Sequence, residues 1–210
     1  SPRLAEPFAV WLHNQLRALE LKRKKCLVLD LDNTLWGGIL GEDGISGIAL
    51  GGDYPGKAFL LFQKLLKELC RQGVMLAICS KNNIEDVREM WHTHPDAVLK
   101  EEDFVALRIN WENKATNIRE LARELNIGLD SMVFVDDNPA ERSLVSTSLP
   151  EVCVPEFPKH PYMLPAFLKK LAENYFSVYA LTKEDLTKTE QYKANMLRNE
   201  LKNEFLDIDD

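Results

Sequence analysis

Residues 26–38 read CLVLDLDNTLWGG: an apolar run, Cys26 to Leu29, ends in two carboxylates, Asp30 and Asp32, and breaks at once into turn residues. A run with no polar alternation reads as a buried strand of a parallel sheet, and the carboxyl end of such a strand is where open α/β sheets gather ligands. Two like charges one residue apart at a strand mouth can bind a divalent cation through oxygen, with one attacking and the other moving protons. A turn carrying two solvated acids is the competing reading of DxD taken alone.

Outward from this stretch, strand-like and helix-like patterns alternate, the signature of a mainly parallel sheet with helices on both faces. Leu4, Phe8, Trp11, Leu12, Leu16 and Leu19 recur at helical spacing, which predicts a first helix up to about Lys22. Glycine-dense residues 37–56 predict a small β-hairpin flap rather than a large cap domain. The stripe Ala58 to Leu69 predicts a helix stopped by Gly73, and VMLAIC, residues 74–79, a second buried strand. It breaks into Ser80-Lys81-Asn82-Asn83, with Asn83 as N-cap of a helix from about Ile84. Val98-Leu99 and Phe104–Ile109 are weaker strand candidates. Asn113 to Asn126 reads as a helix closed by Gly128. Met132 to Val135 is a third strong strand, ending in Asp136 and Asp137, after which Asn138 caps a helix with Pro139 at its first position. A last strand is expected at Val152–Val154, then helices near 161–173 and 184–204. The reading divides the chain into an N-terminal helical segment 1–23, a catalytic domain 24–175 and a C-terminal helical extension 176–210. A chain that begins Ser1-Pro2-Arg3 reads as excised from something longer.

Composition bounds the function. With 210 residues, 45% of them hydrophobic, the chain can bury a core. A net charge of −7 argues against a nucleic-acid binder that relies on phosphate neutralisation. The four cysteines, 26, 70, 79 and 153, show no CxxC spacing, which fits reduced thiols in a cytoplasm. No apolar run approaches a membrane span, so no membrane partner is expected. Histidines 13, 92, 94 and 160 are scattered. Residues 51–58, GGDYPGKA, miss a P-loop because Ala58 stands where a metal-binding hydroxyl is needed, and read as a loop feeding a helix.

Three strand ends thus carry polar clusters, Asp30/Asp32, Ser80/Asn82 and Asp136/Asp137, with Lys114 at the start of an intervening helix. Right-handed crossovers place these ends on one edge of the sheet. A divalent cation there can bridge Asp30, Asp136 and a phosphate oxygen, while Lys114 and Ser80 face the remaining phosphoryl oxygens. Those are the parts of a phosphoryl-transfer site.

DxDxT over Asp30–Thr34, a strand-end serine, a lysine and a strand-end DD, in that order, resemble the haloacid dehalogenase (HAD) superfamily. The resemblance implies a Rossmann-like three-layer α/β/α sandwich that uses Mg²⁺. It implies Asp30 as the nucleophile that becomes an aspartyl phosphate and Asp32 as acid/base. Thr34, Ser80, Asn82 and Lys114 would form the phosphate-binding set, with Thr34 bracing the turn; Asp30, the Asp32 main-chain carbonyl and Asp136 would hold the metal. LDLDNTLWGG, GEDG, AICSKNN, DFVALRINWENKATNIREL and ELNIGLDSMVFVDDNPAER are similar to the FkbH-like glyceryl transferase/phosphatases of polyketide biosynthesis, from about Lys24 to about Pro155. That similarity implies transfer of a three-carbon unit from 1,3-bisphosphoglycerate to the phosphopantetheine thiol of an acyl carrier protein, with removal of phosphate. A stand-alone HAD phosphatase is the alternative.

Acyl transfer also asks for a thiol. Cys79, in the CSKN segment, is the candidate for a transient thioester. Adjacent strand residues face opposite ways, so if Ser80 faces the phosphate, Cys79 is expected to face away, and a buried inert cysteine is the other reading. Trp36 either lines the mouth or packs beneath the flap. A short flap leaves the mouth open enough for a phosphopantetheine arm.

Overall fold

The computed structural model describes residues 23–176; the helices expected before Lys22 and over 184–204 lie outside the described residues. Four strands, β1 (Cys26–Leu29), β2 (Met75–Ser80), β3 (Ala106–Ile109) and β4 (Met132–Val135), form one sheet in the order β3-β2-β1-β4, with every pairing parallel. The helices are α1 (Leu40–Asp43), α2 (Gly56–Arg71), α3 (Ile84–Thr93), α4 (Lys114–Glu124), α5 (Pro139–Ser148) and α6 (Leu164–Leu171). The chain runs outward from β1 to β3, then returns across the sheet to place β4 on the other side of β1. This reversal between β1 and β4 is the switch point at which open α/β sheets bind ligands.

Strand residues alternate between two cores. Leu27, Leu29, Leu76, Ile78, Val133 and Val135 pack with Phe62 and Leu66 of α2, Met90 of α3 and Leu168 of α6. Cys26, Val28, Ala77, Cys79, Met132 and Phe134 pack with Ile118 and Leu121 of α4 and Val145 of α5. The result is the three-layer α/β/α sandwich expected from the uninterrupted apolar runs, since a strand buried on both faces needs no polar side.

Helix ends follow local chemistry. Asn83, Asn113 and Asn138 accept hydrogen bonds from first-turn amides of α3, α4 and α5, satisfying donors that a helix start leaves bare. Gly73, at φ 91°, takes the left-handed turn after α2, as its position predicted. After α4 the left-handed residue is Asn126, at φ 50°, and not Gly128 as the sequence suggested; asparagine tolerates this region well enough to end the helix earlier.

Three expected strands shrink. Val98-Leu99 forms none, the Phe104–Ile109 candidate pairs only over Ala106–Ile109, and Val152–Val154 reduces to a single bridge between Cys153 and Val133. The expected hairpin flap is also different. One antiparallel pair, Gly37 with Ala49, closes it through N–H to O=C distances of 3.0 and 2.7 Å, and the one-turn helix α1 fills the loop. Asp43 accepts from the Ile39 amide at 2.8 Å, and Leu40, Ile48 and Leu50 are buried, so the segment folds onto the core instead of extending as two strands. The helical segment near 161–173 comprises a 3₁₀ turn, Pro161–Met163, then α6 and a π turn, Ala172–Phe176.

Candidate active site

The carboxyl ends of β1, β2 and β4 bring most of the sequence-derived candidates together. The Asp30 amide donates to Val135 O at 3.0 Å, continuing the β1–β4 ladder by one residue. The same register continued on the other side sets Cys79 beside Asp30, because Leu29 pairs with Ile78 and Val135. Cys79, Asp30 and Asp136 therefore form one row across the sheet, on the face covered by α4 and α5.

Lys114, the first residue of α4, lies over this row. Its Nζ is 2.6 Å from Asp136 Oδ2 and 2.8 Å from Asp30 Oδ1, and 5.9 Å from the centre of the Phe134 ring. Burial alone would lower the lysine's proton affinity, but the charges of Asp30 and Asp136 outweigh it and hold the ammonium charged. Asp30 is only 6% exposed, and this ion pair with Lys114 is the contact its Oδ1 makes. One ammonium is thus shared between two buried carboxylates, which leaves the group with an excess of negative charge.

Asp30, Asp136 and Asp137 each offer one carboxylate oxygen within 4.8 Å of the others. Hard oxygen donors at that separation fit a divalent cation of the Mg²⁺ or Ca²⁺ kind. Burial, then the negative charges of Asp30 and Asp136, pushes Asp137 up to about 6. Burial and Asp30 likewise raise Asp136, more than Lys114 lowers it. Crowded carboxylates that resist ionising together are what a cation would relieve. The sequence reading noted Asp137 only as half of a strand-end pair; its place among the three becomes visible once β1 and β4 are neighbours.

Asp32 stands apart from that trio of side chains. Its Oδ1 accepts from Trp36 Nε1 at 2.9 Å and from the Leu40 amide at 3.0 Å, and its Oδ2 accepts from Asn82 Nδ2 at 3.0 Å. Burial raises its pKa despite the Leu40 and Trp36 donors, and Asp30 adds to the rise. A carboxyl group so placed is suited to carry a proton. Trp36 is fully buried among core residues that include Leu40 and Ile48 of the flap, so it packs beneath the flap and does not line the mouth, and its indole N–H supports this acid. Asn82, placed in the phosphate-binding set by resemblance, orients Asp32 here.

Thr34 Oγ1 accepts from the Asp137 amide at 3.2 Å, bracing the turn after β1 against the loop after β4. Ser80 is buried at the end of β2, its carbonyl accepting from the Asn110 amide. Arg142, which the sequence reading passed over, donates from Nη1 to the carbonyls of Asp136 and Asp137 at 2.9 and 2.7 Å, fixing the loop that carries both acids. The only signal was its position in DDNPAER, five residues after Asp137.

Cys79 corrects the facing argument. It does face away from Ser80, but the carboxylates are on its own side, so the thiol lies beside Asp30 and not behind the sheet. It is fully buried beneath α4, with Sγ 3.7 Å from Lys114 O, and burial pushes it up to about 12 although Lys114 pulls the other way. In this arrangement the thiol is protonated and covered.

On the opposite side of the mouth a cleft of about 650 Å³ runs between the flap and α3, lined by Leu40, Ile45, Ser46, Asp86, Glu89 and His94 among others. Among the described residues, no helix is long and apolar enough to cross a membrane.

No protein-family model and no curated protein sequence matches the chain. Among solved structures, it is similar to the N-terminal part of protein BF1531 from Bacteroides fragilis, which contains a phosphatase domain and was crystallised with Mg: 47% identity over 79% of this chain and 44% of that one, with a TM-score of 0.75. The chain thus spans less than half of that relative's length. It is also similar to the HAD domain of the effector protein Lem4 from Legionella pneumophila (14% identity, 73% and 97% coverage, TM-score 0.53) and to a HAD-like hydrolase from Porphyromonas gingivalis (13%, 71% and 98%, TM-score 0.51). These last two similarities concern the fold alone. Together with the sheet order and the strand-end carboxylates, they establish that the chain has the Rossmann-like α/β fold of the haloacid dehalogenase superfamily, with a Mg-bound phosphatase domain among its structural neighbours.

Proposed function

We propose that this domain is a Mg²⁺-dependent phosphatase that works through an aspartyl phosphate on Asp30. The observation that carries the reading is the cluster of Asp30, Asp136 and Asp137, whose carboxylate oxygens lie within 4.8 Å of one another, with the Lys114 ammonium paired to two of the three. Asp30, Asp136 and Asp137, with the Asp32 main-chain carbonyl that the resemblance implies, would hold Mg²⁺, which would supply charge neutralisation to the phosphoryl oxygens.

The chain's own groups perform the rest. A carboxylate oxygen of Asp30 attacks phosphorus, and the bond to the leaving oxygen breaks as Asp32 delivers its proton there. Asp32, now ionised, takes a proton from water that attacks the aspartyl phosphate, and phosphate leaves with the Asp30 carboxylate restored. Lys114 holds the phosphoryl oxygens from the Asp30 face and Ser80, at the end of β2, is assigned to them on the motif resemblance, while Thr34 and Asn82 keep the turn and the acid in place. Mg²⁺-dependent release of phosphate from small phosphomonoesters or acyl phosphates tests this. Release abolished by EDTA and by Asp30→Asn is the expected result; turnover surviving Asp30→Asn rejects Asp30 as nucleophile.

The narrower reading is glyceryl transfer from 1,3-bisphosphoglycerate to the phosphopantetheine thiol of an acyl carrier protein. Its support is the motif resemblance and the position of Cys79 in the same row as Asp30. A thioester on Cys79 would require α4 to uncover the thiol. Incubation with Mg²⁺, 1,3-bisphosphoglycerate and a holo carrier, followed by intact mass measurement, decides it: phosphate release without an acylated carrier rejects the transferase. Cys79→Ala should stop loading and spare phosphate release.

A further inference from the structure

Lys81 follows Ser80, and its Nζ lies 2.6 Å from Oε1 of Glu141, in the first turn of α5. Lys81 lies in the loop after β2 and Glu141 in the helix after β4, and these strands are not neighbours: β1 runs between them. The ion pair therefore spans the end of the strand that carries Asp30, on the face shared with Lys114.

Two features separate it from an ordinary surface pair. The Glu141 side chain is only 15% exposed, and its second oxygen is buried and accepts no hydrogen bond. A half-satisfied buried carboxylate costs stability that a pair with so exposed a partner returns poorly. The Lys81 side chain is 38% exposed and makes one hydrogen bond among the described residues. The other mouth cations are committed: Lys114 to two carboxylates, Arg142 to two carbonyls and Glu156. Of these three, Lys81 has the most exposed side chain, 38% against 4% for Lys114 and 12% for Arg142, and it directly follows the strand end that carries Ser80. Across the mouth the flap cleft carries Asp86 and Glu89, which disfavours an anion there.

We propose that Lys81 recognises a second anionic group on the substrate, a carboxylate or another phosphate, and that Glu141 keeps the ammonium positioned at the mouth until that group takes over. Where the phosphoryl group sits rests on the phosphatase reading; the preference itself does not require turnover. The bound substrate class is a phosphate compound with a negative charge a few atoms from phosphorus.

Calorimetric titration of the full chain in Mg²⁺ with two inert ligands tests it: 3-phosphonopropionate, and propylphosphonate, which has a methyl group in place of the carboxylate. The carboxylate ligand should bind about tenfold tighter or better, as a charge-assisted contact implies. Lys81→Met should erase that preference, Lys81→Arg should keep it, and Glu141→Gln should widen it. A merely structural pair would shift both ligands alike and both variants in one direction. Equal or absent binding of the two ligands to the unaltered chain, or a preference that survives Lys81→Met, overturns the proposal. Failure of the phosphatase reading shows separately, as absence of Mg²⁺-dependent phosphate release.

Discussion

Asn82 Nδ2 donates to Asp32 Oδ2 across 3.0 Å, so a residue of the β2 loop sets the orientation of an acid on the β1 loop. The other Asp32 oxygen is held by Trp36 and Leu40, which leaves the carboxyl group little freedom to rotate. Asn82→Ala should therefore lower kcat by about 10- to 100-fold, as loss of an orienting partner does, with little change in KM. Steady-state phosphate release measures both constants.

Metal binding should be visible without turnover. A ligand that binds only the folded state stabilises it, by about 2.7 kcal/mol at a hundredfold excess over Kd. Mg²⁺ should raise Tm, and Asp136→Asn or Asp137→Asn should largely remove the rise. Thermal denaturation with and without EDTA measures it.

The same titration carries a pH sign. Asp137 is raised to about 6 in the metal-free fold, above an unfolded value near about 4. An acid raised on folding favours the folded state when protonated, so its contribution to metal-free stability is full below about pH 4 and is lost as pH rises through about 6. Cation binding needs the ionised form and runs the opposite way. The Mg²⁺-induced rise in Tm should therefore grow between pH 5 and about 7, and a constant rise across that range would contradict the assignment of Asp137.

Lys114 neutralises two buried carboxylates at 2.6 and 2.8 Å. Lys114→Met should destabilise the metal-free protein by about 3–5 kcal/mol, the cost of leaving buried charge unpaired, and Mg²⁺ should recover part of it. Urea denaturation with and without Mg²⁺ measures the difference.

The thiols divide by burial. Cys26 and Cys79 are both pushed up to about 12 and fully covered, whereas Cys70 and Cys153 are half-buried. At pH 8 the thiolate fraction of the first two is about 10⁻⁴. Native alkylation with iodoacetamide, read by peptide mass, should label Cys70 and Cys153 well before Cys26 and Cys79. Early labelling of Cys79 would mean that α4 lifts readily from β2.

Asp30, Ser80 and Asp136 were legible in the sequence because apolar runs that stop abruptly at polar residues mark strand mouths, and parallel topology gathers such mouths on one edge; Lys114 was legible as the start of an intervening helix. The side of the sheet was less accessible. Alternation correctly opposes Cys79 to Ser80, but only the β1–β2 register places Asp30 with the cysteine. Contacts across long separations were equally hidden: Asn82 to Asp32 spans fifty positions and Thr34 to Asp137 more than a hundred. The flap misled because glycine density signals a turn without saying whether Asp43 will close a helical one inside it. At the end of α4, Asn126 took the left-handed conformation that the nearby glycine made easy to assign elsewhere.

The hydrogen bond from the Leu40 amide to Asp32 makes the flap part of the medium in which that acid holds its proton. Flap shape and acid strength are consequently coupled variables. A longer or differently folded segment between Gly37 and Ala49 would admit other substrates and, by moving one backbone N–H, also retune the pH at which Asp32 gives its proton away. Redesign of the mouth is therefore redesign of the chemistry, and a flap exchanged for scope must reproduce that single donor for Asp32 to keep its present proton affinity.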